Sequence, residues 1–386
     1  MDTTLTSIGR SASRRPDGRF LMSAASSPPA RRGSGVVLVS DNADGRSRSA
    51  VAAVRALAAG GYRPVVAVSG GRSAAGASRS SAGRAHLPAL GSPDYRDAVQ
   101  QYLDAHPGAH HLAASDAVLV ALGHSGADLV DKTVLPSRAA AAGLQVPLTR
   151  AFGGVAELRE SADTLTYPVV IKAAVKTGST EVTRKIDSAE ELTAELGGLA
   201  GSVVVQPFAL GAMRAVAGVV HDGRLVAAVH QRYVRIWPPD CGTATAAVTT
   251  APDLDLERRI AQLIAGHEGV FQVQLVADQV IDVNPRVYGS LPLAVAAGAN
   301  LPVIACDAAE GRPPSGVVRA RPGVRYRWLE GDIRRVLHDV RAGTLTAGGA
   351  VSALRPHRGT AHSIESLRDP GPALVRLIDV AGRRLS

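Results

Sequence analysis

The sequence predicts a mixed α/β and α+β chain, in which a small parallel α/β domain precedes a region of antiparallel sheet. Three observations carry this. From Gly35 the chain runs "GVVLVS", "RSRSAVAAVRALAAGG" and "RPVVAVS", a buried strand, a helix and a second buried strand in the order of a parallel βαβ unit. Between Tyr167 and Thr250 short apolar strands alternate with glycine turns, and "HDGR" has the composition of a tight hairpin. Farther on, "VFQVQLVADQVIDVNPR" reads as two strands of period two around the short turn "ADQ", a second hairpin.

Taken in order, residues 1–34 are rich in Arg, Ser, Pro and Gly and lack a continuous apolar stretch. They are expected to be a disordered leader rather than a secretory signal, with Met22 as an alternative start. Residues 35–125 form the α/β domain, completed by "DAVQQYLDAHP" and "HHLAASDAVLVALG" after a Ser/Gly/Ala-rich loop from Ser69 to Gly83. The turn after the first strand has no GxGxxG, so a dinucleotide site is unsupported there. Residues 126–310 open with the helix in "DKTVLPSRAAAAGLQVPLT" and carry the antiparallel strands, the helix "LDLERRIAQLIAGHEG" and the second hairpin. Residues 311–386 read as an Arg-rich, irregular extension with one helix at "LEGDIRRVLHDVRAG".

Composition narrows the function classes. At 386 residues and 46% hydrophobic the chain can bury more than one core, and no apolar run reaches the length of a membrane span. Two cysteines, Cys241 and Cys306, form neither a disulfide framework nor a zinc pattern, which fits a reducing cytoplasm. The net charge of +9 invites a nucleic-acid reading, but Arg is scattered and aromatics are 3%, so stacking platforms are scarce and no nucleic-acid partner is expected. Lysine is distributed unevenly. Lys132, Lys172, Lys176 and Lys185 are the only four among 43 basic residues. A compact ammonium retained in one segment of an arginine-rich chain points to phosphate contact, against chance clustering as the plain alternative.

The second hairpin holds the best candidate for chemistry. Gln274 on one strand and Asp282 and Asn284 on the next share a face, because side chains alternate with period two. Three oxygen donors on one strand pair suit Mg²⁺, with Mn²⁺ as a substitute, where an exposed polar face is the ordinary alternative. Just beyond, Arg286 offers a planar fork for a phosphate or acyl phosphate. In "YPVVIKAAVKTGSTEV" a strand ends at Lys172, and Lys176, Thr177, Gly178 and Ser179 form a segment able to fold over phosphates, although the P-loop spacing is absent. After "SVVVQPF" the backbone of Pro207, Phe208, Ala209 and Leu210 is placed to pair with an adenine edge.

The order of these pieces resembles the ATP-grasp superfamily: "DK" at Asp131 and Lys132, then "YPVVIK", then "VVVQPF", then "VQLVADQVIDVNPRVYGSLPLAVAAGANLP". The match spans residues 125–305. The Gln, acid, Asn, Pro, Arg succession is similar to the metal-binding strands of the carbamoyl phosphate synthetase large subunit, and "RWLEGD" to bacterial ATP-grasp carboligases. The resemblance implies a pre-ATP-grasp α/β domain followed by an ATP-grasp fold of two α+β subdomains. It implies that Lys132 and Lys172 contact the ATP phosphates, that Lys176 to Ser179 cover them, and that Gln206 to Leu210 form the adenine hinge. It further implies that Asp282 and Asn284 bind Mg²⁺ with Gln274 as a third ligand, that Arg286 steadies the transferred phosphoryl group, and that Arg235 and the "PPDCGT" loop lie beside a carboxylate substrate. Two departures stand out: no acid follows the hinge to hold the ribose, and Gln274 stands where relatives carry Glu.

The expected function is therefore an ATP- and Mg-dependent carboxylate-amine ligase. It would activate a small carboxylate as an acyl phosphate for attack by an amine, with ADP and phosphate released. A homodimer is the base-rate assembly. The alternative is a catalytically impaired ATP-binding sensor or scaffold, supported by the same two departures.

Overall fold

The computed structural model describes residues 35–41, 44–175, 183–196, 199 and 201–385. The expected leader and the Lys176 to Ser179 segment lie outside the described residues.

The first layer is a parallel sheet of β1 (Val36–Ser40), β2 (Arg63–Val68), β3 (Gly83–His86) and β4 (His110–Ala113), in the order β3-β2-β1-β4. Helix α1 (Arg48–Ala59) starts where Ser47 Oγ accepts from the amides of Ser49 and Ala50, and its Ala/Val face is buried. Helices α2 (Tyr95–Asp104) and α3 (Asp116–Leu122) complete this layer, α3 capped by Ser115. The parallel β1–α1–β2 unit read from the sequence is part of this layer.

After helix α4 (Leu135–Ala141) comes a second, antiparallel sheet of β5 (Arg150–Phe152), β6 (Val169–Ala173), β7 (Arg184–Ile186) and β8 (Val203–Pro207), in the order β5-β8-β6-β7. Helices α5 (Val155–Glu160) and α6 (Ala189–Glu195) pack Leu158 and Leu192 into its core with Phe152, Ile171 and Val205.

The third sheet is built on β9 (Met213–His221), β10 (Arg224–Trp237), β11 (Thr243–Thr249), β12 (Gly269–Val276) and β13 (Gln279–Asn284). Both expected hairpins are present, β9 with β10 and β12 with β13. Residue 218 in the middle of β9 can only be glycine: a Cβ there would lie 2.1 Å from Ala227 O and 2.9 Å from the Phe271 ring. Helix α7 (Leu254–Leu263) and α4 cover one face, where Leu256, Ile260 and Leu263 meet Phe271, Val273, Leu275 and Val280. The opposite face of β9, β10 and β12 packs with α1, α8 (Leu291–Ala296) and α9 (Leu301–Ala309), joining this sheet to the first layer in one core.

The stretch after residue 310, expected to be irregular, is ordered into the third sheet. β14 (Val318–Arg319) pairs with β10, β15 (Arg325–Arg327) with β11, and β16 (Ala361–His362) with β15. Helices α10 (Leu329–Arg341), α11 (Ala347–Leu354) and α12 (Gly371–Leu385) follow or intervene. The chain's end is tied to its beginning: Asp369 accepts from Arg55 Nε at 2.8 Å and Ser78 Oγ at 2.6 Å, and Arg376 bonds Arg46 O and Glu330. Strands of two or three residues among arginines carry almost no period-two signal, which explains why they are hard to read from sequence. No helix among the described residues is long and apolar enough to cross a membrane.

Candidate functional site

The second and third sheets face each other across a cleft. On its floor β12 and β13 pair Gln274 with Asp282 and Gln272 with Asn284, so four polar side chains occupy one face while Phe271, Val273 and Leu275 enter the core behind. The ladder shifts register between Gln274 and Leu275, leaving Ile281 as the extra residue of a bulge. Gln272 belongs with the three residues predicted; the same alternation marks it, two positions before Gln274.

Lys172 reaches this floor from β6. Its Nζ donates to Ile281 O at 2.9 Å, and its side chain is buried. Burial pushes the ammonium's pKa down and the neighbouring Lys132 adds to that, while Asp282 opposes both. Lys132 sits 3.6 Å from Asp282 Oδ1, held by its own backbone amide donating to Ala174 O. Asn284 Nδ2 lies 3.3 Å from Asp282 Oδ2, and Gln274 Nε2 donates to Tyr233 OH at 3.2 Å. The two lysines, Gln274, Asp282 and Asn284 are thus brought together.

Arg286 also lines the cleft, but its fork is occupied. Nε and Nη2 donate to Asp116 at 2.6 and 3.1 Å, and Nη2 donates to Asn284 Oδ1 at 2.8 Å. Asp116 is the first residue of α3, far upstream in sequence, and only the tertiary fold reveals it as a partner.

The hinge residues form the inner end of the cleft. Pro207, Phe208 and Ala209 line a side pocket of about 100 Å³ with Val170, Met213, Ile281 and Lys172. Gln206 lines it too, with Nε2 donating to Thr149 Oγ1 at 2.9 Å, whereas Leu210 is 82% exposed and does not. Asp240 of the "PPDCGT" loop borders this pocket, a carboxylate that reaches the hinge from some thirty residues downstream in the sequence. Its neighbour Cys241 borders it as well; burial pushes that thiol up to about 11, so it rests protonated.

Arg235 does not lie in the cleft, a correction to the expected placement. Register shifts on either side of it in β10 break the alternation, so Tyr233 faces the cleft while Arg235 turns to α10. There Nε and Nη2 grip the fully buried Asp332 at 2.7 and 2.8 Å, beside Arg327 Nε at 3.1 Å and Thr245 Oγ1 at 3.1 Å.

The donor set fits magnesium. No group of three or more His, Cys, Asp or Glu gathers among the described residues, and the cleft floor offers one carboxylate with amide oxygens. Mg²⁺ takes one or two carboxylates, keeps water and completes its octahedron with phosphate oxygens. Asn284 Oδ1 has a second lone pair beyond the one facing Arg286.

The cleft continues from Asp282 past Tyr233 and Tyr288 to Arg48 and Trp328, with a volume of about 680 Å³. It has room for a nucleotide's phosphates and a second small molecule.

Comparison with known proteins accords with this geometry. Residues 202–332 match the model of a family described as ATP-grasp in the biosynthetic pathway with Ter operon. No curated protein sequence matches the chain. Among solved structures, the chain is similar to an L-amino acid ligase from Bacillus licheniformis, with 16% identity, TM-score 0.53, and coverage of 72% of this chain and 75% of that one. It is similar to N5-carboxyaminoimidazole synthetase from Staphylococcus aureus complexed with ADP, with 12% identity, TM-score 0.58 and coverage of 74% and 80%. It is also similar to the biotin carboxylase domain of 2-oxoglutarate carboxylase from Hydrogenobacter thermophilus in complex with MgADP, ADP and bicarbonate, with 16% identity, TM-score 0.53 and coverage of 75% and 73%. The described sheets and the polar floor between them lead to one conclusion: the chain has the fold of the ATP-grasp enzymes, and its segment 202–332 is the part that matches an ATP-grasp family model.

Proposed function

We propose that the chain is an ATP- and Mg-dependent ligase that activates a small carboxylate as an acyl phosphate for attack by an amine, releasing ADP and phosphate. The observation that carries this reading is the meeting of Lys132, Lys172, Gln274 and Asp282 on the wall shared by the hinge pocket and the larger cleft. In this reading adenine lies in the hinge pocket against Phe208 and Ala209, and Asp240 takes the ribose hydroxyls that no residue directly after the hinge can hold. Lys132 and Lys172 face the phosphates with ammonium groups. Asp282, Asn284 and Gln274, joined by Gln272, are the residues that would hold Mg²⁺ or Mn²⁺. When bound, that ion neutralises phosphate charge as the phosphoryl group moves. Arg286, oriented by Asp116 and with Nη1 also donating to Val287 O, has one Nη1 N–H left to offer the transferred group. Lys176 to Ser179 are proposed to cover the phosphates and keep water from the acyl phosphate.

Small-molecule substrates, with the chain at work in the cytoplasm, complete the proposal. The test is ADP release from purified protein with Mg-ATP across pairs of carboxylates and amines. Release that requires both partners supports a ligase. A second reading, an ATP-binding sensor, is favoured by one carboxylate among the metal donors and by Arg286 being engaged with Asp116; it predicts nucleotide binding without consumption for any pair.

A further inference from the structure

The end of the cleft away from the hinge holds a guanidinium that has no counter-ion among the described residues. Arg48, the first residue of α1, donates through Nη1 to Tyr326 OH at 3.0 Å and through Nη2 to Thr243 Oγ1 at 2.9 Å. Its Cζ lies 3.9 Å from the centre of the Trp328 ring. All three partners are neutral, and among the described residues Arg48 meets no carboxylate. Two other cleft arginines are different: Arg286 is paired with Asp116 and Arg376 with Glu330.

The guanidinium is also positioned with care. Tyr326 OH, which accepts from Arg48, itself donates to Gly289 O at 3.0 Å. A Cβ at residue 289 would stand 3.1 Å from Arg48 Cζ, so glycine makes room for the flat group. Two donors near it are buried with no partner among the described residues, Tyr288 OH and Trp328 Nε1, and both residues line the same cleft. Tyr288 is 2% exposed and Trp328 9%. A buried donor left unpaired carries a desolvation cost that an acceptor group would relieve. A planar fork stacked on an indole, flanked by spare donors, has the shape and charge to receive a carboxylate in two parallel hydrogen bonds.

We propose that Arg48, supported by Tyr326, Thr243 and Trp328, binds a carboxylate that does not react, and that the amine substrate is accordingly an amino acid. The inference rests on the ligase reading and names the substrate class for the same cleft. The reacting carboxylate belongs beside Lys172 and Asp282; the carboxylate at Arg48 orients the acceptor with its amine toward that centre.

The experiment is calorimetric titration of the full chain, with Mg²⁺ and ADP present, by the common L-amino acids and by their carboxamides, for the wild type, Arg48→Met and Arg48→Lys. At least one amino acid is expected to bind the wild type. Its affinity should fall about 10- to 100-fold in Arg48→Met, the loss of one charge-assisted pair, with partial recovery in Arg48→Lys. The matching carboxamide should bind the wild type no better than the amino acid binds Arg48→Met. ADP affinity, measured first, should be the same in all three proteins and reports that each is folded. The inference is overturned if ADP binds but no amino acid does, or if amino-acid affinity ignores Arg48. It is overturned in favour of a dicarboxylic acid as the substrate gripped there if only succinate, added in parallel, shows the dependence on Arg48. Failure of ADP itself to bind the wild type refutes the underlying nucleotide reading instead.

Discussion

Lys172 is the residue on which nucleotide binding should turn, since it spans the cleft from β6 to the carbonyl of Ile281. Lys172→Met is expected to weaken ADP affinity about 10- to 100-fold by removing the proposed charge-assisted contact to phosphate, measurable by calorimetry. Its charge has a further signature. Because burial and Lys132 hold its pKa below the ordinary lysine value, the ammonium loses its proton at a lower pH than a free lysine would. Wild-type affinity for ADP should therefore decline on the alkaline side, and Lys172→Arg, which keeps its charge, should remove that decline. Arg235 makes the opposite prediction. It grips Asp332 away from the cleft, and Arg235→Met strips a buried carboxylate of its main partner. Stability should fall by about 3–5 kcal/mol in urea unfolding, while ADP affinity of the folded protein stays unchanged. A change in affinity with stability preserved would return Arg235 to the substrate site.

Among the elements, β9 carries the tightest requirement. It lies between β12 and β10, and Gly218 is where the backbones and the Phe271 ring converge. Gly218→Ala is expected to destabilise by about 1–3 kcal/mol or more through overpacking, read as a lower denaturation midpoint. The β12–β13 hairpin shows how much of the site could be read in advance. Alternation with period two was enough to put Gln274, Asp282 and Asn284 on one face, because a strand pair with one side in the core leaves no freedom of register. Arg235 was placed beside the substrate by the resemblance alone, and register shifts on either side of it in the β10–β11 ladder turn it away, leaving no mark in a run of mixed residues. Asp116 and Arg48 were beyond reach for a different reason. They arrive from other segments, and no local period records which distant loop will border a cleft. The parallel layer was legible because its strands are continuous apolar runs; β14 to β16 were not, being too short to show a period.

In the molecule as a whole, the first and third sheets share one core, and a cluster of histidines sits at their junction. His111 on β4 bonds His124 at 2.8 Å and Ser40 at 2.8 Å, within a cavity of about 200 Å³ that His221 and His267 also line. Desolvation and the neighbouring His124 hold His111 down to about 3, against 6.5 for the free group. Between those values the unfolded chain takes up a proton that the folded chain refuses. The stability from neutral His111 is thus complete above pH 6.5 and is lost progressively as the pH falls toward 3. Urea midpoints should follow that fall, and His111→Gln should make it shallower, the rest of the slope belonging to His124, His230 and His267, which burial also holds down. The last 76 residues are equally part of the whole. Removing residues 311–386 deletes β14 and β15 and bares an edge of β11. The shortened chain is expected to lose its near-ultraviolet dichroism and to aggregate, and a soluble fragment with normal ADP affinity would contradict this.

The bond from Arg55 on the first helix to Asp369 near the chain's end has a consequence for biosynthesis. A ribosome delivers α1 long before it delivers the residues that cover it, since α8 and α9 are made some 230 residues later and Asp369 later still. During translation, an emerging N-terminal domain has its apolar helix face bare and must wait for the tail. Nascent chains stalled before residue 369 should therefore hold chaperones that the released protein has shed.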